Sequence, residues 1–197
     1  MEEQDRDLNR MLAGRVRRLR SARGLTLDEL ADRSGVSRSM ISLVERGESN
    51  PTAVVLDRIS SGLGVTLASL FEPERNTVSP VARRSEQPLW RDPQTGYVRR
   101  NLSPPGFHSP IELVEVDFPA GGRITYETGV REVGIDQQVW VLEGEIDVVL
   151  GDECHRLLAG DCFAMRLDRP ITYHNSTDSP ARYLVVLTTE DRGRARR

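Results

Sequence analysis

The chain has 197 residues, a formal net charge of −3 at pH 7 and 38% hydrophobic residues, which is typical of a globular protein with one large or two small domains. No apolar run approaches the ~20 residues of a membrane helix, and residues 1–7 lack the features of a signal peptide. We therefore expect a cytoplasmic protein with no membrane partner.

The chain has two cysteines, Cys154 and Cys162, which are too few for a disulfide framework and lack metal-site spacing. We expect Cys162 to be a buried small apolar residue, with redox sensing as the alternative.

Charge is distributed unevenly along the chain. Residues 8–46 carry nine arginines against four acids, a balance of +5, whereas residues 76–197 carry fifteen arginines against eighteen acids, a balance of −3. The net charge excludes a uniformly basic protein that coats nucleic acid. The distribution of charge nevertheless makes the N-terminal part basic and the C-terminal part acidic. All 27 basic residues are arginine, the better reader of phosphate and guanine.

Five short helices are predicted in the first third. Leu12, Val16 and Leu19 form one apolar stripe, which is typical of an amphipathic helix. The next helix begins in "RGLTLDEL", where Thr26 and Glu29 have the spacing of a capping box. This start predicts a helix that runs to about residue 34.

Gly35 favours a left-handed turn that ends this second helix, and Ser37 is a capping residue for a third. Thr52 and Thr66 open two further predicted helices. Two helices joined by a tight glycine turn make a helix-turn-helix, although a generic helical bundle would share these features. The outer face of the third helix is predicted to carry Arg38, Ser39 and Ser42.

The segment 14–71 resembles the lambda-repressor-like, XRE-type helix-turn-helix family over its whole length, including "VSRSMIS", "ERGESNP" and "LGVTLASLF". The resemblance implies that residues 37–46 form the recognition helix in the major groove. It also implies a structural ion pair between Arg20 and Glu45. The implied DNA-binding residues are Thr26, Ser37, Arg38, Ser39, Ser42 and Asn50.

These residues have different expected roles. Arg38 is expected to contact guanine, because its planar fork matches O6 and N7. Thr26 is expected to hold a phosphate through its amide and hydroxyl at a helix N-terminus. Ser39 and Ser42 fit either bases or phosphates, and Asn50 is a weaker phosphate candidate. Three arginines of the first helix have two possible roles, exposure to solvent or contact with DNA: Arg15, Arg17 and Arg18.

One module of this kind buries too little surface for tight, selective binding. Such modules act as dimers on half-sites about 34 Å apart. We therefore expect double-stranded DNA with a palindromic operator as a partner, and a homodimer held together by the rest of the chain.

The remaining chain is predicted to be a linker and a β-rich domain. Residues 73–88 are polar and contain three prolines, which is typical of a linker. Nine short β-type runs with turn signals follow, from "GYVRRNL" to "ARYLVVLTT", and predict an all-β sandwich or barrel. The predicted domains are 8–72, a helix-turn-helix module, and 89–190, a β domain.

The segment 110–188 resembles the cupin family through "PAGGRITYE", "QQVWVLEGEIDVVLGDE", "LLAGDCFAMRLDRP" and "YHN". The expected fold is therefore multidomain: an all-α, five-helix lambda-repressor-like domain followed by an all-β cupin, a jelly-roll barrel. Metal-binding cupins use histidines and a carboxylate. Their ligand positions fall here near Glu127 and Gly129, on Gln137 and on Ile171.

An amide and an alkyl group do not replace imidazole at a transition metal, so no cofactor is expected. The three histidines do not restore the ligand set: His108 precedes the barrel, His155 is expected to face solvent, and His174 lies three residues after Ile171. A shifted register that joins Glu127, Asp136 and His174 is the alternative. The barrel interior is instead expected to bind a small-molecule effector through Tyr126, Gln137 and Tyr173. An equally good interpretation is that these polar side chains only form hydrogen bonds with one another inside a packed barrel.

The resulting hypothesis is a one-component transcriptional regulator, a repressor more often than an activator, that is not an enzyme. Trp140 is predicted to lie on the opposite face of its strand from Gln137, where it would pack in the core or in a subunit interface. The alternative is a mononuclear non-heme iron enzyme, because hydroxypropylphosphonate epoxidase also resembles this layout. A third hypothesis is a DNA-binding dimer whose barrel serves only for assembly.

Overall fold

The computed structural model describes residues 2–72, 79–107, 109–127 and 134–190. His108, Gly129 and part of the predicted linker, residues 73–78, lie outside these ranges. The helical part contains α1 (Glu2–Ala22), α2 (Leu27–Ser34), α3 (Arg38–Arg46), α4 (Ala53–Gly62) and a 3₁₀ helix (Ala68–Phe71).

The expectation of five helices is corrected to four α-helices and one short 3₁₀ helix. Thr66 does act as a start signal, since its Oγ1 accepts a hydrogen bond from the Ser69 amide at 3.1 Å. The helix that follows ends at Phe71, because Glu72 already has an extended backbone. Four residues form little more than one turn, and such short pieces adopt the tighter i→i+3 pattern.

The predicted starts and stops of α2 and α3 are confirmed. Thr26 and Glu29 form both halves of the capping box, and Gly35 has a φ of 65° at the C-terminus of α2. The Ser37 hydroxyl then accepts from the Met40 amide and caps α3. These local contacts place α2 and α3 around a three-residue turn, as a helix-turn-helix requires.

Within the described residues, ten antiparallel strands form two sheets that pack as a barrel. The strands are β1 (Leu89–Arg91), β2 (Val98–Asn101), β3 (Ile111–Phe118), β4 (Arg123–Tyr126), β5 (Gly134–Glu143), β6 (Glu145–Leu150), β7 (Glu153–Leu158), β8 (Cys162–Arg166), β9 (Ile171–His174) and β10 (Ala181–Glu190). One sheet has the order β1-β2-β3-β10-β5-β8 and the other β4-β9-β6-β7. The nine predicted runs all contain strands. Sequence reasoning missed β1, whose three residues are too few to show alternation.

The helical part and the barrel share one core. The ring of Phe71 packs against that of Trp90 in β1, with centroids 5.5 Å apart, and Trp90 packs against Tyr97 at 5.9 Å. The side-chain Nδ2 of Asn101 donates to the carbonyl of Ala68 at 2.8 Å. The two parts are therefore docked by buried contacts on top of the covalent connection.

The outer face of the six-stranded sheet carries the residues that alternate away from the core. Trp140 is 46% exposed, so it lies outside the core. Cys162 pairs with it in the neighbouring strand and is exposed. The expectation of a buried Cys162 is wrong, because the alternation of β8 directs Phe163 and Met165 inward instead. Over the ranges given above, no helix has the length and apolarity to cross a membrane.

Candidate DNA-reading surface and barrel cavity

The predicted DNA-reading residues lie on an exposed face around the start of α3. Ser37, Arg38 and Ser39 are exposed, and so is Thr26 at the start of α2. The Nε of Arg38 lies 3.2 Å from a carboxylate oxygen of Asp28, and both side chains are more than half exposed. Because an exposed ion pair of this kind contributes little free energy, it leaves Arg38 available for another partner.

Thr26 is already engaged in the free protein. Its amide and its hydroxyl both donate to Oε2 of Glu29, at 2.7 and 2.9 Å. The backbone hydrogen bond from Thr26 lowers the pKa of Glu29 below its ordinary value. A DNA phosphate held by Thr26 would therefore have to replace the Glu29 carboxylate.

The remaining predicted residues of this surface are placed as follows. Ser42 accepts from Nη1 of Arg46 at 2.6 Å. Asn50 is exposed and lines a small pocket together with Trp90 and Pro93 of the β-rich part. Sequence reasoning did not anticipate the position of Asn50 beside the barrel.

Two arginines of α1 stabilise the helical part. Arg20 donates to both carboxylate oxygens of Glu45, at 2.6 and 2.8 Å, and thereby joins α1 to the end of α3. Arg15 donates to Glu72 at 2.9 Å and to the carbonyl of Ser69 at 3.1 Å. Arg15, whose role the sequence left open, thus ties α1 to the 3₁₀ helix.

A cavity that opens to solvent lies inside the barrel. Most of its wall is aliphatic or aromatic. The helical part supplies three of its lining residues: Asp57, Thr66 and Leu67. The cavity is therefore bounded by the barrel and by the segment at and after α4, and not by the barrel alone.

The three residues predicted to orient a ligand all line this cavity. Nε2 of Gln137 donates to the hydroxyl of Tyr173 at 2.5 Å. The hydroxyls of Tyr126 and Tyr97 lie 2.9 Å apart. Burial raises the pKa of Tyr173 and of Tyr126 well above the ordinary phenol value, so both phenols are neutral near pH 7.

Sequence reasoning missed Arg99, which lines the same cavity and is only 7% exposed. A signal was present in "GYVRRNL". Tyr97, Arg99 and Asn101 alternate at a period of two and all three are buried, so Arg99 occupies an inward position of β2.

The positions that hold metal ligands in related barrels are occupied by other groups or lie apart. Gln137 and Ile171 line the cavity, whereas Glu127 is 69% exposed and pairs with Arg58 at 2.5 Å. The alternative set is also separated: Asp136 pairs with Arg166, and His174 lies 3.7 Å from Asp147. In the ranges that the structure describes, no group of three His, Cys, Asp or Glu side chains is arranged to hold a metal ion.

Comparison with known proteins adds the family. Residues 16–70 match the helix-turn-helix family model, and residues 115–187 match the model of the cupin domain. An uncharacterised HTH-type transcriptional regulator of Sinorhizobium fredii, y4dJ, is 37% identical over 71 residues, which are 36% of this chain and 92% of y4dJ. The chain belongs to the helix-turn-helix transcriptional regulators.

Two further likenesses extend over most of this regulator. The HTH-type transcriptional regulator SutR of Escherichia coli is 27% identical over 177 residues, which are 90% of this chain and 94% of SutR. A crystal structure of an HTH_3 family transcriptional regulator from Vibrio cholerae has a TM-score of 0.77 and 26% identity, over 93% of this chain and 98% of that one. Hydroxypropylphosphonic acid epoxidase from S. wedmorenis gives a TM-score of 0.46 at 19% identity, over 92% of this chain and 98% of that one, which is too low to bear on function.

The regulator thus has a helix-turn-helix part and a cupin barrel, as the sequence predicted. Tyr97 and Arg99 precede the segment that matches the cupin model, so β2 and the residue just before it bring additional polar groups to the cavity. The matched helix-turn-helix segment contains Asp57, Thr66 and Leu67. Both parts of the regulator therefore contribute to one internal cavity.

Proposed function

We propose that this regulator binds operator DNA through α3 and that a small molecule in the barrel cavity controls this binding. One observation carries the proposal: the cavity wall includes Asp57, Thr66 and Leu67, which belong to the helix-turn-helix part. A ligand in the cavity contacts the part that reads DNA, without an intervening domain. Its effect on DNA binding is limited to its preference for one arrangement of the two parts over another.

Several polar contacts hold the helix-turn-helix part against the barrel, in addition to that of Asn101 with Ala68. The Ala53 amide donates to Asp92 at 2.7 Å, and the Thr66 hydroxyl donates to Glu112 at 2.6 Å. On the exposed side, Arg58 pairs with Glu127 at 2.5 Å. Together with the ring contacts of Phe71, they support a defined orientation of the reading helix that a ligand can shift.

For DNA recognition, the exposed Arg38 is the residue proposed to read a guanine, with Ser37, Ser39 and Ser42 beside it on α3. Thr26 is proposed to hold a phosphate after the capping contact with Glu29 opens. Asn50 is the weakest member of the set, because it lies at the pocket next to Trp90. We propose that the regulator acts as a repressor and occupies its operator in the cytoplasm.

A homodimer on a palindromic operator follows from the small size of a single reading helix. The outer face of the six-stranded sheet is the surface proposed to join the two copies. Trp140 is 46% exposed there, next to its strand partner Leu184 on β10. An exposed tryptophan beside aliphatic side chains is typical of an interface centre.

We infer no catalytic role for the barrel. Gln137 and Ile171 occupy ligand positions of metal-binding cupins, and neither side chain is a good ligand for a transition metal. Metal analysis of the purified regulator tests this inference. One tightly held iron per chain, lost in His174→Ala, would favour an iron enzyme instead.

The experiment that tests the proposed function is selection of bound fragments from the genomic DNA of the source organism. The wild-type regulator is expected to enrich a set of promoter fragments that share a two-fold symmetric sequence. The selection is repeated with cell-extract metabolites, which are expected to reduce the enrichment. Recovery of no fragment above background at low ionic strength would contradict the proposal, because phosphate contacts are strongest there.

A further inference from the structure

Arg99 lies inside the fold with part of its guanidinium unsatisfied. It is the second residue of β2 and lines the barrel cavity, and only 7% of its surface is exposed. Its buried Nε has no hydrogen-bond acceptor among the residues that the structure describes. A buried polar group without a partner costs free energy, and a buried charge costs more.

Other arginines with limited exposure have carboxylate partners. Arg15 pairs with Glu72 at 2.9 Å, and Arg20 pairs with Glu45 at 2.6 Å. For Arg99 the structure gives a side-chain hydrogen bond with the Tyr97 hydroxyl and an aromatic contact, with Cζ lying 5.7 Å from the ring centroid of Phe71. No carboxylate of the described ranges forms an ion pair with it. The charge of Arg99 acts on the Glu112 carboxylate and lowers its pKa, but this carboxylate forms no ion pair with the guanidinium.

Asp57 is the acidic group that lines the cavity, and it is 6% exposed. It has an interaction partner within the fold, so its carboxylate is not available in the way that the Nε of Arg99 is. The hydroxyls of Tyr97, Tyr126 and Tyr173 also line the cavity, and burial keeps them protonated by raising their pKa. Neutral phenols can donate to an anion beside the guanidinium.

We propose that the barrel cavity is a binding site for a small organic carboxylate, with the anionic group on Arg99 and the apolar body against the aliphatic wall. A carboxylate accepts two parallel hydrogen bonds from a guanidinium. It would therefore give Nε a hydrogen-bond acceptor and also neutralise the buried charge. The inference rests on the proposed effector function and adds the chemical class of the effector. It also gives β2, which precedes the matched cupin segment, a role in the site.

The same residue connects the ligand to the helix-turn-helix part. Phe71, on which Arg99 rests, is the last residue of the 3₁₀ helix that follows α4, and Leu67 lines the cavity just before that helix. A carboxylate that draws the guanidinium into the cavity weakens its contact with the Phe71 ring. The anionic group therefore acts on the helix-turn-helix part through the ring of Phe71.

Ligand binding without DNA tests this inference. Benzoate is compared with benzamide and benzylamine, which are its neutral and cationic counterparts, and butyrate with butyramide and butylamine. Isothermal titration and thermal melting are expected to show binding of a carboxylate, with a rise in Tm, and no comparable effect of the amides or amines. Stronger binding of the amines, or no response to either carboxylate, would overturn the proposal.

Variants locate the site. Arg99→Gln is expected to weaken carboxylate binding by about tenfold or more, because the charged fork is lost. Arg100→Gln is the matched control: it is the next residue of the same strand, lies 3.6 Å from Glu115, and is expected to bind as the wild type does. Unchanged affinity in Arg99→Gln refutes the assignment. If that variant does not fold, Arg99→Lys keeps the charge without the fork, and it is expected to bind several-fold more weakly; unchanged affinity there refutes the assignment equally.

These results are separable from the proposed function. Operator binding that is intact in a protein that binds no carboxylate overturns only the chemical class. Carboxylate binding through Arg99 in a protein that binds no DNA supports the site and overturns the regulatory proposal.

Discussion

The backbone amide of Ala53 donates to Oδ1 of Asp92 at 2.7 Å, which joins the first turn of α4 to the turn between β1 and β2. Asp92 is 1% exposed, and its other oxygen accepts from the amide and the hydroxyl of Thr95. The carboxylate therefore holds the turn and the helix N-terminus at once, where a negative charge is favourable. It is a buried contact between the part that reads DNA and the part that contains the cavity.

We predict that Asp92→Ala lowers the free energy of unfolding by about 1–3 kcal/mol, because it leaves buried amide donors without an acceptor. Chemical denaturation followed by circular dichroism measures this change. Asp152→Ala is the control, because Asp152 is exposed in the turn between β6 and β7 and its loss is expected to change little. Equal stability of Asp92→Ala and the wild type would show that this contact does not stabilise the docking of the two parts.

A second prediction concerns base reading. Arg38→Ala is expected to lose about 1–3 kcal/mol of discrimination at one base pair of the operator and to keep most of its affinity for unrelated DNA. The exposed pair with Asp28 adds little to stability, so the fold should be unaffected. Binding to the operator and to single-base variants, measured by fluorescence anisotropy, gives the comparison. Arg169→Ala, an exposed arginine of the barrel, removes the same charge and is expected to bind like the wild type; an unchanged preference in Arg38→Ala argues against its role.

The third prediction concerns assembly. Trp140→Arg places a charge on the proposed interface and is expected to convert a dimer into a monomer and to weaken operator binding. Analytical ultracentrifugation reports the mass of each variant. Leu158→Arg, which changes another exposed apolar residue, is the control and should remain dimeric. A wild-type monomer would contradict the proposed dimer, and a Trp140→Arg dimer would place the contact between copies elsewhere.

The fourth prediction is a pH dependence at the junction. Burial raises the pKa of Glu112 above its ordinary value of 4.5 and outweighs the hydrogen bond from Thr66. The folded state therefore binds more protons than the unfolded state just above pH 4.5, and this group's contribution to stability falls as the pH rises through its folded pKa. In Glu112→Gln that decline should disappear in thermal melts over this range. Glu153→Gln, at an exposed acid, should keep the wild-type profile; the same profile in all three proteins would contradict the assignment.

Local signals in the sequence predicted the helix-turn-helix well. The capping box of Thr26 and Glu29 and the left-handed Gly35 depend on neighbours within a few residues, so they can be identified without the fold. Alternation likewise explains why Gln137 faces the cavity while Trp140 faces outward. The predicted fifth helix is only a four-residue 3₁₀ helix, because a start signal does not determine how soon a helix ends.

Long-range packing could not be predicted in the same way. The contacts of Ala53 with Asp92 and of Thr66 with Glu112 join residues 39 and 46 positions apart, and no local pattern encodes such pairings. Arg99 was missed because an arginine in a β run is ordinarily solvated. Cys162 was misplaced because its residue type favours burial, whereas the register of β8 directs it outward.

The most direct test of the central claim is the operator affinity of the regulator with its cavity empty and with its cavity saturated by a carboxylate that binds it. We predict a change of about 5- to 150-fold, and an equal change in carboxylate affinity when operator is present, because coupling between two binding sites is reciprocal. Identical operator affinity in the two states, with the carboxylate shown to be bound, would contradict the claim that the cavity controls the reading helix.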